Sequence, residues 1–317
     1  GTPDAPAVRR RNGRGEVTDR RGAGAQAGLR TGPSMWLAAP AMAFFALFAL
    51  IPLVGVVVLS FMSWDGLGTP TLVGIDNWTR ILTDPVSQNA MKLSVFLTVA
   101  TWLTQFPASL LLGVFMAGRQ RYREVFSILY FLPLLFSSAA VGIAFKALLD
   151  PNFGLGSALG IEALNRDWLG DPSLSMPTLV FVIAWSFIPF HSLLYQGAAR
   201  QLPVSVLEAA MIDGAGRVST FFHITVPMLR NTIVTSSTLM IVGSLTYFDL
   251  IFVMTAGGPG NATRILPLDM YLRGFRSYDM GGASVVGVIL VVVGVAVSYA
   301  LNRLSGNTKM DSQLEGA

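Results

Sequence analysis

Long apolar stretches recur along the chain and are separated by shorter polar segments. Six such stretches lie at about residues 36–62, 93–117, 125–148, 177–199, 229–254 and 283–303. As a helix that rises about 1.5 Å per residue, each is long enough to cross a hydrocarbon core about 30 Å thick. The pattern therefore predicts an all-α integral membrane protein with six transmembrane helices.

The composition agrees with a membrane location, because too few charged residues are present to cover a water-exposed surface. Hydrophobic residues make up 52% of the 317 residues and charged residues 13%, with a mean hydropathy of +0.58. Soluble domains carry about 25% charged residues. The absence of cysteine excludes disulfides, thiol catalysis and cysteine-ligated metals. The two histidines, His191 and His223, lack metal-ligand spacing, so the sequence predicts neither a metal site nor a catalytic residue.

Basic residues fall mainly on one side of the predicted membrane. With the N-terminus inside, the inside segments 1–34, 118–124, 199–230 and 302–317 hold 15 of the 22 Lys and Arg residues. Positive charge favours the cytoplasmic side, so both termini are expected in the cytoplasm. Residues 1–33 contain seven Arg and no apolar periodicity, which predicts a disordered cytoplasmic N-terminus. A transmembrane domain at 34–306 and a cytoplasmic tail at 307–317 are expected to follow.

A polar and small-residue segment joins the fourth and fifth apolar stretches. We call residues 200–228 the elbow; its centre reads Glu208, Ala209, Ala210, Met211, Ile212, Asp213, Gly214 and Ala215. Pro203 suits the first turn of a short helix, Gly214 a left-handed stop, and Pro227 the start of the next helix. Glu208 is expected near the start of the first helix. Because the elbow lies in water between two spanning helices, a protein outside the membrane can grip it.

The spacing within the elbow is similar to that of a known family. Glu208-Ala209-Ala210 is followed after three residues by Gly214, and after nine more by Ile224-Thr225-Val226-Pro227. This pattern resembles the cytoplasmic loop of permease subunits in ATP-driven (ABC) importers that depend on a binding protein. Residues 74–78, 123–133, 247–263 and 271–284 also match, so the resemblance covers roughly 35–305. It implies the type I importer permease fold, with the elbow as a coupling helix that docks in a cleft of the ATPase subunit.

The resemblance also implies a set of partners. The turn Gly257-Gly258-Pro259 is similar to that of subunits that pair with a second, non-identical permease, the type of the larger maltose permease and the glycerol-phosphate permease. The implied assembly contains that second permease, two ATPase subunits that bind ATP and Mg, and an extracellular binding protein that delivers a carbohydrate, with a di- or oligosaccharide favoured. It would lie among the lipids of a bacterial cell membrane, without nucleic acid and without a cofactor in this chain. Glycerol phosphate or another small polar solute is the alternative substrate.

Motifs for other mechanisms are missing from the sequence. An ATPase needs a G-x-x-x-x-G-K-[ST] loop, but none of Lys92, Lys146 and Lys309 follows Gly, so ATP hydrolysis belongs to a partner and the chain is not an enzyme. Ion-coupled carriers keep ionisable groups deep in the membrane, whereas only His191 is deep here. A membrane-embedded enzyme is disfavoured, because no Ser-His-Asp set, paired carboxylates or metal triad occurs at membrane depth. A nucleotide-independent channel is a further alternative, although it would have no use for the elbow.

A path for the solute is expected along the two helices that flank the elbow. Side chains suited to bonding hydroxyls or stacking on sugars lie at Ser186, Phe187, Phe190 and His191 in the fourth stretch, and at Met240, Gly243, Ser244 and Tyr247 in the fifth. The second set shares one helical face. By offset from the Glu-Ala-Ala motif, all except His191 also resemble substrate-contacting positions of the maltose permease. The alternative is that Ser and Gly serve helix packing and that Phe and Met face lipid or core; His191 can equally bond a neighbouring helix.

Overall fold

The computed structural model describes Gly1, Trp36, residues 38–118 and residues 120–304. Apart from Gly1, the predicted disordered segment 1–33 lies outside the described residues, and so does the predicted tail 307–317. The chain divides into two units, Gly1–Pro52 and Leu53–Ala317. The described residues are mostly helical, as the sequence predicts.

In chain order the first elements are α1 (Ala39–Phe45), a π-helical turn (Ala46–Leu50), α2 (Ile51–Leu59), β1 (Met62–Ser63), β2 (Thr71–Leu72), α3 (Asp76–Thr83), α4 (Pro85–Met116), α5 (Arg121–Tyr130), a 3₁₀ turn (Leu132–Leu135) and α6 (Ser138–Leu148). They are followed by α7 (Leu155–Leu159), a 3₁₀ turn (Glu162–Leu164), α8 (Pro172–Arg200), α9 (Val204–Ile212), α10 (Arg217–Thr220), a π-helical turn (Phe221–Thr225), α11 (Val226–Met228), α12 (Arg230–Ser244), α13 (Asp249–Met254), α14 (Leu266–Tyr271), a π-helical turn (Leu272–Arg276) and α15 (Met280–Leu304). The only sheet in the described part is the antiparallel pair β1–β2, in which Met62 lies opposite Leu72.

The two longest helices, α4 and α8, pack closely along each other. Asp84 and Asp171 cap their N-termini by accepting hydrogen bonds from backbone N–H groups of the first turn. A Cβ atom at Gly113 of α4 would lie 2.6 Å from the carbonyl oxygen of Ser192 in α8. Because that distance is too short for any side chain, glycine permits the close approach of the two helices.

The described part of the chain contains four helical stretches that are long and apolar enough to cross a membrane. They are Ala39–Leu59, Pro85–Met116, Pro172–Arg200 and Met280–Arg303. A fifth is present if the bent pair Arg121–Leu135 and Ser138–Leu148 forms one span. The structure therefore shows four to five candidate spans, and two of the six predicted ones are not continuous helices.

The predicted span at 125–148 bends by 97° between the 3₁₀ turn and α6. Pro133 lies in that turn, where it lacks the N–H group that a continuing helix would need. The Ser137 hydroxyl then accepts a hydrogen bond from the Ala140 N–H group at 3.2 Å and caps a new helix. Local capping chemistry thus replaces the straight helix that the apolar run predicts.

The predicted span at 229–254 is interrupted between α12 and α13, at residues 245–248. The Ser244 hydroxyl donates to the Ile241 carbonyl at 2.6 Å, and the Thr246 hydroxyl donates to the Gly243 carbonyl at 2.8 Å. Such local side-chain bonds compete with the helical ladder and favour its termination. The break therefore follows from short polar side chains that a hydropathy pattern does not register.

The main core holds the helix after this break in place. It unites α4, α6, α8 and α13 with residues just before and within α14, and its buried residues are Leu97, Val141, Met176, Leu179, Val180, Val182, Ile183, Leu250, Ile251, Met254, Ile265 and Leu268. Three of these belong to the six-residue α13. Burying apolar side chains at about 25 cal/mol per Å² stabilises α13 where its length alone would not.

Candidate functional site

A cavity of about 450 Å³ opens where α12 breaks beside α8. It falls in the size range of small-molecule sites in proteins. The residues that line it are Leu134 and Ser138, then Phe187, Phe190 and His191 of α8, and Leu239, Gly243, Thr246, Tyr247, Phe248, Asp249 and Leu250 around the break. The site is thus formed by the two helices that flank the elbow, together with the bend before α6.

Five of the eight residues predicted for the solute path line this cavity, namely Phe187, Phe190, His191, Gly243 and Tyr247. The other three point elsewhere. Ser186 donates to the Val182 carbonyl of its own helix at 2.8 Å. Met240 is 1% exposed, and the Ser244 hydroxyl lies 2.6 Å from the Thr98 hydroxyl of α4. Met240 is thus a core residue and Ser244 contacts a neighbouring helix, whereas the hydroxyl of Ser186 bonds only within α8.

Four of the five aromatic side chains that line the cavity form two pairs. The rings of Phe187 and Tyr247 lie 5.0 Å apart across the two helices, tilted by 32°. Phe190 is 40% exposed and meets the ring of His191 edge-on at 5.1 Å. Ring faces of this kind can pack on the apolar faces of a sugar.

His191 is held by a neighbouring helix and contributes little surface. Its side chain is 3% exposed, and its Nδ1 atom lies 3.0 Å from the Ser236 hydroxyl of α12. Packing between helices, one of the two roles considered for this residue, therefore occurs in the structure.

The elbow contains the helical stop that the sequence predicts. Gly214 has a φ of +79°, and the Ala215 N–H donates to the Ala210 carbonyl at 2.9 Å while the Gly214 N–H donates to the Met211 carbonyl at 3.1 Å. These two bonds form a Schellman motif at the end of α9. Glu208, however, is the fifth residue of α9 and not near its start, because the helix already begins at Val204.

The prediction for Pro227 is wrong in detail. Helical structure after the stop already begins at Arg217 in α10 and continues through the π-helical turn into α11, which contains Pro227. A proline inside a helix removes one backbone donor, and a π-helical turn is one of the adjustments that accommodate such an interruption. Pro227 therefore lies within a helical run that starts ten residues earlier.

The surface of the elbow is apolar and uncovered in this chain. Met211, Ile212, Val218 and Phe222 are 65%, 86%, 71% and 60% exposed. Ala209 is exposed and Ala210 is buried. Neither Glu208 nor Asp213 forms a side-chain hydrogen bond or ion pair with any residue that the structure describes. Exposed apolar side chains on a segment outside the candidate spans are available to an interacting protein.

A polar cluster remote in sequence from the elbow has all of its charged side chains paired. We call Asp84, Ser87, Arg264, Asp269 and Arg273 the clasp. Asp269 is completely buried, and its two carboxylate oxygens accept hydrogen bonds from Arg264 at 2.8 Å and Arg273 at 3.0 Å. Arg273 also bonds Asp84 and, at 2.7 Å, the Ser87 hydroxyl. Burial opposes ionisation of Asp84 and is the largest single effect, but the hydrogen bond and charge of Arg273, together with backbone hydrogen bonds from Val86 and Ser87, lower the pKa of the carboxyl below its ordinary value.

A family model for the inner membrane component of binding-protein-dependent transport systems matches residues 109–308. The chain belongs to this family. The matched region contains the elbow and every residue that lines the cavity, and the family resemblance predicted from the elbow is confirmed. Members of the family are transporter permease subunits, in agreement with a non-enzymatic role.

Curated permeases of the family align along most of the chain. A probable ABC transporter permease protein, YurN of Bacillus subtilis, is 30% identical over 266 residues, which cover 82% of this chain and 91% of that protein. The diacetylchitobiose uptake system permease protein NgcF of Streptomyces coelicolor is 29% identical over 297 residues, which cover 86% of this chain and 82% of that protein. The multiple sugar-binding transport system permease protein MsmF of Streptococcus mutans is 30% identical over 250 residues, with 78% and 86% covered.

A solved permease has the same fold. The crystal structure of a bacterial ABC transporter involved in the import of the acidic polysaccharide alginate contains a chain that superimposes with a TM-score of 0.75 at 22% identity, covering 87% of this chain and 97% of that one. The permease fold that the sequence predicts is therefore confirmed in its overall form.

Three polar residues that line the cavity were not among the predicted path residues. Ser138 follows the bend, and Thr246 and Asp249 lie at the break in α12. A continuous helix at 229–254 would carry Thr246 away from the face shared by residues 240, 243, 244 and 247. The Ser-x-Thr pattern at 244–246 is a sequence signal that could have indicated the break, because both hydroxyls can bond nearby carbonyls.

Proposed function

We propose that this chain is one of two non-identical permease subunits in an ATP-driven importer that takes up a di- or oligosaccharide delivered by an extracellular binding protein. Two relatives aligned over most of the chain carry uptake of diacetylchitobiose or of multiple sugars in their names. The paired aromatic rings beside hydroxyl-bearing side chains in the cavity suit a carbohydrate. Two ATPase subunits would bind ATP and Mg, and this chain would carry no cofactor.

The observation that carries the proposal is that the elbow exposes apolar side chains and unpaired carboxylates. Its helix α9 exposes Met211 and Ile212, and the carboxylates of Glu208 and Asp213 have no partner within the described residues. Such a surface suits docking in a cleft of another protein. We therefore assign the elbow, with Glu208, Ala209, Ala210, Met211, Asp213, Gly214 and Ala215, as the coupling helix that contacts the ATPase.

The elbow is connected directly to both walls of the cavity. It joins α8, which supplies Phe187 and Phe190, to α12, which leads to Tyr247. A displacement of the elbow by ATP-driven closure of the ATPases would therefore move α8 against α12 and turn the cavity between its inward-facing and outward-facing forms. The tight α4–α8 contact at Gly113 supports transmission as a rigid-body movement.

The proposed topology has six spans with both termini in the cytoplasm. It treats α5 and α6 as one bent span and α12 with α13 as one broken span. Non-helical backbone at membrane depth is tolerated where it lines a cavity, and residues 246–248 do so. The excess of basic residues in the segments assigned to the inside supports this orientation and brings the elbow to the ATPase side.

Reconstitution tests the proposal. The chain would be co-expressed with a candidate second permease, ATPase and binding protein of the same organism, and sugar uptake into liposomes would be measured with and without ATP. We expect uptake only with ATP, and retention of the ATPase when this chain is purified. Uptake at the same rate without nucleotide would favour a channel and contradict the proposal.

A pair of matched variants isolates the role of the elbow. Ile212 and Leu159 are exposed apolar residues, each the last residue of a short helix. We expect Ile212→Asp to abolish ATPase retention and uptake, whereas Leu159→Asp retains both, and both variants should reach the membrane in equal amounts. Ala210→Asp is a less selective test of docking, because Ala210 is buried and closes the Schellman motif.

A further inference from the structure

Asp249 is the one acidic residue that lines the cavity in the described structure. It is exposed and is the first residue of α13. Its carboxylate forms no hydrogen bond or ion pair with any residue that the structure describes. None of the other described lining residues is Asp, Glu, Lys or Arg, so the negative charge of Asp249 is not neutralised within the cavity wall.

The surroundings of Asp249 make this charge effective. Phe187, Phe190 and Phe248 contribute apolar walls, and a charge beside such walls is screened less than one in bulk water. A carboxylate can accept hydrogen bonds from two sugar hydroxyls at once, but it repels another anion. The cavity is therefore suited to neutral, hydroxyl-rich solutes and opposes acidic ones.

The clasp contains an acid in a different setting, where it is buried and paired. Asp269 has an arginine on each carboxylate oxygen, so its charge is cancelled at short range. Asp249 has no such partner although several arginines are present in the chain. An unpaired carboxylate in a solute-sized cavity is available to a ligand.

We propose that Asp249 determines the charge selectivity of the cavity, admitting neutral saccharides and disfavouring anionic ones such as uronic-acid oligosaccharides. This inference rests on the proposed function as a sugar permease and assigns its substrate class. A chain of an importer for the acidic polysaccharide alginate has a related fold. The proposal therefore predicts that the same fold serves an acidic solute there and a neutral one here.

The effect of the Asp249 charge can be measured without knowing the sugar. Because the chain has no cysteine, a single introduced thiol can report on it. A Cβ atom at Gly243, on the cavity wall, would meet no atom within 4 Å, so Gly243→Cys introduces a single thiol there. In the assembled complex, this thiol would be modified with the cationic 2-(trimethylammonium)ethyl and the anionic 2-sulfonatoethyl methanethiosulfonates. The mass of this chain reports both rates, and their ratio cancels any change in thiol reactivity itself.

We expect the cation-to-anion rate ratio to fall about threefold or more when Asp249→Asn is added, and Asp249→Glu to retain it. The matched control is Asp76→Asn, because Asp76 is also an exposed acid at the first position of a helix but does not line the cavity. It should leave the ratio unchanged. An unchanged ratio with Asp249→Asn, or an equal fall with Asp76→Asn, would overturn the proposal.

This result is separable from the proposed function. The rate ratio requires only an assembled complex and no transport, so it can change even if ATP-dependent uptake is never found. Conversely, ATP-dependent uptake with an unaltered ratio would retain the permease assignment and remove the role of Asp249.

Discussion

The clasp and the elbow contain acidic residues in opposite situations. In the clasp, the fully buried Asp269 is bonded on both oxygens, and Arg273 links it to Asp84 across 189 positions of sequence. In the elbow, Glu208 and Asp213 have no partner within the described residues, and Ile212 is 86% exposed. The acidic side chains of the clasp are thus paired within the chain, whereas those of the elbow are available to another protein.

This difference indicates that the clasp stabilises the fold, whereas the elbow serves transport. A buried ion pair is costly to break, because the remaining partner is left as an uncompensated charge. An exposed surface residue contributes little to folding, generally within about 0.5 kcal/mol. Substitutions in the clasp should therefore lower stability, whereas substitutions in the elbow should remove transport from a chain that still folds.

Asp269→Asn should have the largest effect on stability. It leaves Arg264 and Arg273 without the buried acid between them, and removing one partner of a buried ion pair costs about 3–5 kcal/mol. We expect a clear fall in the thermal unfolding midpoint of the purified chain in detergent. Asp76→Asn, which removes an exposed acid, provides the control. Equal midpoints for the two variants would show that the clasp does not stabilise the fold.

Gly214→Asp should have the next largest effect, and on transport more than on folding. Gly214 and Gly160 both follow a helix end with positive φ, at +79° and +66°, and a Cβ atom at either would meet nothing within 4 Å. An L-residue in this conformation costs about 1–2 kcal/mol, so Gly160→Asp is a matched control for the backbone strain. We expect both variants to insert in the membrane, but only Gly214→Asp to abolish ATP-dependent uptake.

Loss of uptake in both glycine variants would mean that strain, and not docking, explains the result. Normal uptake with Gly214→Asp would show that the elbow does not transmit force from the ATPase.

The sequence predicts the elbow better than it predicts the clasp, for a physical reason. The stop at Gly214 depends on a few adjacent residues, so local chemistry is sufficient. The pairing of Asp84 with Arg273 depends on packing between α4 and the turn after α14, which no short pattern encodes. The cavity is missed for a different reason: the apolar runs predict helices around it, but hydropathy does not register the local hydroxyl groups that end α12 at 245–248.

Acid should weaken the clasp only at low pH. Burial raises the pKa of Asp84, but the hydrogen bond and charge of Arg273 and two backbone hydrogen bonds together lower it in the folded chain. Its contribution to stability is therefore fully present above the ordinary aspartate pKa of about 3.9 and is lost as the pH falls below that through the lowered value. We expect Asp84→Asn to reduce the dependence of the unfolding midpoint on pH below about 4, without changing its dependence between about 5 and 7. A change confined to the higher range would contradict this assignment.

The smallest effect is expected at an ion pair outside the clasp. Arg80 and Asp279 bond at 2.7 Å, but their side chains are 50% and 24% exposed. Surface pairs of this kind contribute about 0–1 kcal/mol, since water solvates both partners when the bond is lost. Arg80→Gln should therefore shift the unfolding midpoint much less than Asp269→Asn, and high salt should reduce the difference further. If Arg80→Gln were as destabilising as Asp269→Asn, burial would not explain the contribution of the clasp to stability. The energetic contrast between the buried pairs of the clasp and the exposed acids of the elbow would then be lost.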